Sequence, residues 1–219
     1  MPADKAADKT ADKSAEDKPL FGQFVAVGRM GLRMSSADGA TWSQPQTQKD
    51  PHTLGAIAVG NGTVVVVGMN GTGSNAFWRT SDLLKWEVQT IKSDYVYMVR
   101  SVAFGGGQFM ALLSGGVNGD DAGNAQLSSD GIQWSERIKR GKYSLNRVRY
   151  AVGQWVGIGS FGLKSVSKDG KDWQNAPDQI AADTLIDLVY GKGVWGRRWS
   201  ERPAHGQPRW FEVGREAAW

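Results

Sequence analysis

The chain has 219 residues, with 26 Lys and Arg against 22 Asp and Glu, 29 Gly, 10 Trp and no Cys. The absent cysteines exclude disulfide staples, thiolate metal sites and a cysteine nucleophile, and two histidines, His52 and His205, leave little to hold zinc or iron. Of the net charge of +4, only +2 falls on the long middle of the chain, which lacks the clustered cations of a nucleic-acid surface, and no apolar run approaches the roughly 20 residues of a membrane-spanning helix.

Residues 1–19 cycle Ala, Asp and Lys without a large apolar side chain. Such a segment cannot offset its ordering entropy by burial and reads as a disordered tail. It also lacks an apolar core of the signal-peptide kind, so the chain as written carries no export address. Residues 20–195 then repeat one pattern. Apolar runs closed by glycine stand at Phe24–Gly28, Val64–Gly68, Phe109–Gly115 and Trp155–Gly159. Each leads to a short polar motif that ends in tryptophan. These are Ser36-Ala-Asp38-Gly39-Ala-Thr-Trp42, Thr80-Ser-Asp82-Leu-Leu-Lys-Trp86, Ser128-Ser-Asp130-Gly131-Ile-Gln-Trp134 and Ser167-Lys-Asp169-Gly170-Lys-Asp-Trp173. A second family of strands, at 54–59, 100–104, 145–150 and 185–190, precedes glycine-containing turns.

The order in a unit is strand A, glycine turn, strand B, hairpin, strand C, Asp-Gly turn, then strand D beginning at Trp. Asp-Gly suits a tight hairpin because Gly accepts positive φ and Asp hydrogen-bonds nearby backbone. Four short strands in every 40 to 50 residues is the period of propeller blades. The expected fold is therefore all-β: a β-propeller of four-stranded antiparallel blades, with four to five blades visible, forming an open fragment of a larger propeller. A four-bladed ring, closed by strand 185–190 against the first blade, is the alternative.

The Ser/Thr-x-Asp-Gly-x-x-Trp elements resemble the Asp boxes, or BNR-like repeats, of sialidase-like propellers, and in this shorter form those of uncharacterised bacterial repeats and of photosystem II stability factors. Two departures stand out: one residue fewer separates Asp from Gly, and Leu83 replaces Gly after Asp82. The resemblance implies a fold and not an activity. It assigns turn roles to Ser36, Asp38, Gly39, Trp42, Asp82, Trp86, Ser128, Asp130, Gly131, Trp134, Ser167, Asp169, Gly170 and Trp173.

Residues 196–219 abandon the pattern for an Arg- and Trp-rich segment. Back-translated with suitable synonymous codons and read one base later, residues 196–215 permit a string that repeats the glycine, Arg-Met and Asp-Gly…Trp positions of Val25–Ser43. We read this segment as atypical, following a change of frame within a longer propeller gene.

No catalytic residue, metal or cofactor is expected. The motif aspartates fall on different blades, too far apart for acid/base pairing. Gly157-Ile-Gly-Ser-Phe-Gly162 matches a dinucleotide fingerprint, but a strand follows it where that motif needs a helix. The oxygen-rich stretch Asn118–Asn124 lacks the spacing of a calcium loop, and both histidines read as surface residues. Sialidase-type arginines and tyrosines are present, among them Arg100, Arg147, Arg149, Tyr95, Tyr97 and Tyr143, whereas the Arg-Ile-Pro element of that family is missing. The expected function is a non-catalytic scaffold for a protein or carbohydrate ligand, without nucleic acid and without a membrane span. Its ligand face is placed on the loops from strand D to strand A, at Tyr95, Tyr97, Arg137, Lys139, Arg140, Lys142 and Tyr143. Self-association through open blade edges is a further expectation. The rivals are a sialidase-like glycosidase and an assembly factor for a membrane complex.

Overall fold

A computed structural model describes residues 22–49, 52–91, 98–114, 123–139, 144–175, 184–199 and 211–213. Its strands form five antiparallel sheets in chain order. The first holds β1 (Phe24–Val27) and β2 (Arg33–Ser36), and an isolated bridge from Arg33 to Gln46 marks a short third segment. The second holds β3 (Thr53–Gly60), β4 (Thr63–Met69), β5 (Asn75–Thr80) and β6 (Glu87–Ile91). The third holds β7 (Met98–Gly105), β8 (Gln108–Ser114), β9 (Gly123–Ser128) and β10 (Ile138–Lys139). The fourth holds β11 (Leu145–Ala151), β12 (Gln154–Gly159), β13 (Lys164–Ser167) and β14 (Gln174–Asn175). The fifth holds β15 (Leu185–Gly191), β16 (Val194–Trp199) and β17 (Phe211–Val213).

Successive sheets stack face to face, and their first strands converge, β3 on β7, β7 on β11 and β11 on β15. This explains the unbroken apolar runs. A strand with one wet face alternates, but one covered on both faces needs no polar residue. Val64 and Val66 enter the core beside the first sheet, while Val65 and Val67 enter the core shared with the third. In β8, Phe109 and Ala111 face back to the second sheet while Met110 and Leu112 face forward to the fourth. Each such valine contributes about 1.5–3 kcal/mol by leaving water.

The turns between first and second strands are two-residue hairpins with positive φ at both positions, at Asn61-Gly62, Gly106-Gly107, Val152-Gly153 and Lys192-Gly193. That geometry matches the twist of the flanking strands. Each first strand also carries an irregularity in register, between Leu54 and Ala56, Val99 and Ser101, Leu145 and Arg147, and Leu185 and Asp187.

The ring alternative is overturned. β15 pairs with β16 in its own sheet, and among the described residues β1 pairs with β2 alone, so the two do not meet as a closing strand pair. The segment read as atypical contributes to this fifth sheet: β16 runs on to Trp199, and Trp195–Arg197 pair with β17.

Candidate functional site

The four Asp motifs fold alike. Asp38 Oδ1 accepts from Ala40 N at 2.8 Å, Thr41 N at 2.7 Å and Ser36 Oγ at 2.9 Å, and Ser36 Oγ accepts from Gly39 N at 2.9 Å. Asp82 takes Leu84 N, Lys85 N and Thr80 Oγ1; Asp130 takes Ile132 N, Gln133 N and Ser128 Oγ; Asp169 takes Lys171 N, Asp172 N and Ser167 Oγ. Two backbone donors per carboxylate stabilise the ionised form. All four aspartates are accordingly held below the ordinary carboxylate range, the backbone bonds being the leading cause.

The residue after each Asp has positive φ: Gly39 at 76°, Leu83 at 62°, Gly131 at 76° and Gly170 at 80°. Leu83 adopts the conformation of the glycines it replaces and packs on the core between the first two sheets. Two of the tryptophans close their turns, Trp86 Nε1 donating to Leu83 O at 3.3 Å and Trp173 Nε1 to Gly170 O at 2.9 Å, whereas Trp134 Nε1 is buried without a hydrogen bond. Trp134 lies 4.8 Å from Phe77 of the preceding sheet. Trp42 has no preceding sheet among the described residues and is 37% exposed.

Between the first and second sheets, the Arg33 guanidinium lies 4.7 Å over Trp78 and 5.7 Å from Trp86, with Nε and Nη1 buried and lacking hydrogen bonds. Burial lowers its pKa. His52, read from sequence as a surface residue, is buried instead: it meets Trp78 edge-on at 5.4 Å, and its Nδ1 lies 2.7 Å from Gln48 Nε2. In the sequence 157–162, residues 157–159 end β12 and Ser160–Gly162 form a single 3-10 turn leading to β13, with Phe161 at φ 56°.

The charged cluster best placed to meet a ligand sits where the inner strands converge. Arg147 and Arg149 lie two residues apart on β11, and Asp187 on β15 faces both, 3.7 Å from Arg147 Nε and 3.9 Å from Arg149 Nη2. Arg147 Nη1 donates to Arg100 O on β7 at 3.3 Å, while its Nε is buried without a hydrogen bond. Arg149 is lowered by burial first, then by repulsion from Arg147, with Asp187 opposing. One carboxylate faces two cations, and all three side chains stay partly open, at 30–43% exposure. Guanidinium groups left partly open in this way are able to make charge-assisted hydrogen bonds to an anion.

Of the ligand-face residues expected from sequence, Arg137 and Lys139 are exposed beside and on β10, at the edge of the third sheet opposite β7. Tyr95, Tyr97, Arg140, Lys142 and Tyr143 lie outside the described residues, as do the first nineteen residues and Asn118–Ala122. Sequence reasoning named Arg147 and Arg149 without joining them to Asp187, because nothing in strand periodicity marks that carboxylate as their neighbour. Among the described residues no three His, Asp or Glu side chains gather as a metal shell, and no helix is long and apolar enough to cross a membrane.

No protein-family model and no curated protein sequence matches the chain. Solved structures do match in fold. The WD40 propeller domain of Doa1 aligns at 11% identity and TM-score 0.54, over 82% of this chain and 59% of that one. The fold is a β-propeller. A GH43 β-1,3-galactosidase aligns at 10% identity and TM-score 0.54, over 81% of this chain and 50% of its own. The phage phi92 endosialidase aligns at 10% identity and TM-score 0.51, over 80% and 46%. The propeller described here spans about half the length of these chains, which include both enzymes and a non-enzymatic domain.

Proposed function

We propose that this propeller is a non-catalytic binding scaffold whose inner strands hold an acidic segment of a partner protein. The observation that supports the reading is the Arg147–Arg149 pair, faced among the described residues by the single carboxylate of Asp187, with all three side chains partly open. A second anion on the open sides of the two guanidinium groups would relieve their mutual repulsion, which makes the site worth more to a carboxylate than a solvated surface lysine would be. A carboxylate-bearing glycan offers the same chemistry and forms the second arm of the test.

Titration calorimetry with an oligoglutamate peptide, and separately with an oligoglucuronate, tests this. Saturable binding is expected to weaken at least about tenfold in the Arg147→Ala/Arg149→Ala variant and to fall with added salt. Peptide binding indifferent to both arginines overturns the reading. Preference for the sugar moves it to glycans, and turnover of aryl glycosides ends the non-catalytic assignment.

A further inference from the structure

Two described turns carry the same tripeptide, Asn61-Gly62-Thr63 and Asn70-Gly71-Thr72. An Asn-Gly step is open to attack of the backbone on the side-chain amide, because glycine has no Cβ to shield its own nitrogen. The local chemistry is the same in both, so the fold alone makes them differ. A third step, Asn118-Gly119, lies outside the described residues.

At Asn61 the fold holds the amide nitrogen. Nδ2 donates to Gly107 O and to Ser129 O, each at 3.1 Å, which ties the β3–β4 hairpin to the third sheet. Oδ1 of Asn61 receives no hydrogen bond from the described residues.

At Asn70, in the turn from β4 to β5, the fold holds the oxygen instead. Oδ1 accepts from Thr72 N at 3.0 Å, Thr72 Oγ1 at 2.9 Å and Ser74 N at 2.8 Å. Two main-chain N–H groups can face only an oxygen, which fixes the orientation of the amide. Among the described residues neither Nδ2 nor the Gly71 N–H has a hydrogen-bond partner, and Gly71, Thr72 and Gly73 are exposed. The donor set, two backbone N–H groups and one hydroxyl, is the set that surrounds Oδ1 of Asp38, Asp130 and Asp169. Asn70 is thus a neutral amide in a nest that the Asp turns use for a carboxylate.

We propose that Asn70 is a self-modification site, converting to aspartate and isoaspartate through a succinimide. Gly71 N gives its proton to hydroxide and bonds to Asn70 Cγ, while the Cγ–Oδ1 π pair moves onto Oδ1. The three donors already face that oxygen as charge develops on it, the arrangement that lowers barriers in acyl transfer. The electron pair then returns, the Cγ–Nδ2 bond breaks, and Nδ2 leaves as ammonia after taking a proton from water. A second water opens the ring. Cleavage between Cγ and Gly71 N gives aspartate, and cleavage between the Asn70 carbonyl carbon and Gly71 N gives isoaspartate. Hydroxide and water are the co-reactants, and nothing is oxidised or reduced. The aspartate keeps all three donors and makes them charge-assisted, so the turn accommodates its own product. This site is separate from the inner arginines and stands or falls without them.

The test is peptide mapping by mass spectrometry on the folded full chain, aged in mildly alkaline buffer. Conversion at Asn70 is expected to run at least about fivefold faster than at Asn61, and the two rates to converge in urea, where only the shared tripeptide acts. Thr72→Val removes the hydroxyl from an exposed position. It is expected to slow Asn70 about threefold or more while keeping the parent Tm. Asn70→Asp is expected to match or exceed the parent Tm. Conversion at Asn61 as fast as at Asn70, a difference that persists in urea, or a rate untouched by Thr72→Val overturns the proposal. So does a lowered Tm in Asn70→Asp, by showing that the turn does not hold a carboxylate.

Discussion

Gly131 is seated on Val65: a Cβ at 131 would stand 2.5 Å from Val65 Cγ2, in the preceding sheet. Gly170 repeats the relationship one sheet later, with Met110 Cε at 2.6 Å. The Asp-Gly turns are therefore joints between blades as well as ends of hairpins. Arg79 Nε strengthens the first joint by donating to Asp130 O at 2.9 Å. These glycines meet two demands, positive φ and close approach. Gly131→Ala is expected to cost about 2–3 kcal/mol, and Gly62→Ala, with φ 65° and nothing within 4 Å, about 1 kcal/mol. Urea unfolding of the two variants checks the difference; equal losses would mean that the approach to Val65 carries no energy.

Val152 stands at φ 52° in the hairpin between β11 and β12 and is 71% exposed. A β-branched residue is unfavourable there, and its three counterparts are Asn61, Gly106 and Lys192. Val152→Asn is expected to stabilise the protein by about 0.5–1 kcal/mol, because Asn tolerates left-handed backbone and no packing is lost. A raised Tm in calorimetry confirms it, and a lowered one would place Val152 in a contact.

Much of this architecture was legible in the chain itself, for identifiable reasons. Strands at 64–68 and 155–159 announced themselves because burial on both faces demands uninterrupted apolar residues. The Asp turns were visible because hydrogen bonding and positive φ restrict the residue types allowed. Leu83 obeys the turn while breaking its pattern, which only the backbone reveals. The inner-strand irregularities had no signature, since Gly55, Arg100, Asn146 and Ile186 share no chemistry. β16 and β17 were obscured for a similar reason: Gly196-Arg-Arg198 does not read as a twice-buried strand. His52 looked like a loop residue because its partners, Gln48 and Trp78, come from two different blades. The arginine cluster was half visible, its cations from spacing on one strand and its carboxylate only from the stacking of β15 on β11.

The turn carboxylates set a direction for acid sensitivity. Each is held below its ordinary value by backbone donors, so the folded state favours the ionised form. That stability is fully present above about pH 4 and is lost as pH falls through the lowered values. The urea midpoint is expected to drop between pH 6 and pH 3, and to drop less in Asp130→Asn, whose side chain still accepts hydrogen bonds but no longer titrates. An identical acid response in that variant would assign the effect to other groups.

The tryptophans provide the sharpest comparison of position against residue type, since sequence makes them equivalent and packing does not. Trp134 spans two blades and lies within the core that holds Phe77, Val65 and Phe109. Trp42 occupies the same place in its motif but is 37% exposed. Truncating a packed indole leaves a cavity, whereas truncating an exposed one mainly returns apolar surface to water already in contact with it. Trp134→Ala is expected to cost about 3–5 kcal/mol and Trp42→Ala less than about 1 kcal/mol. Acrylamide should quench a protein retaining only Trp42 far more strongly than one retaining only Trp134. Equal costs would show that another body covers Trp42 in solution.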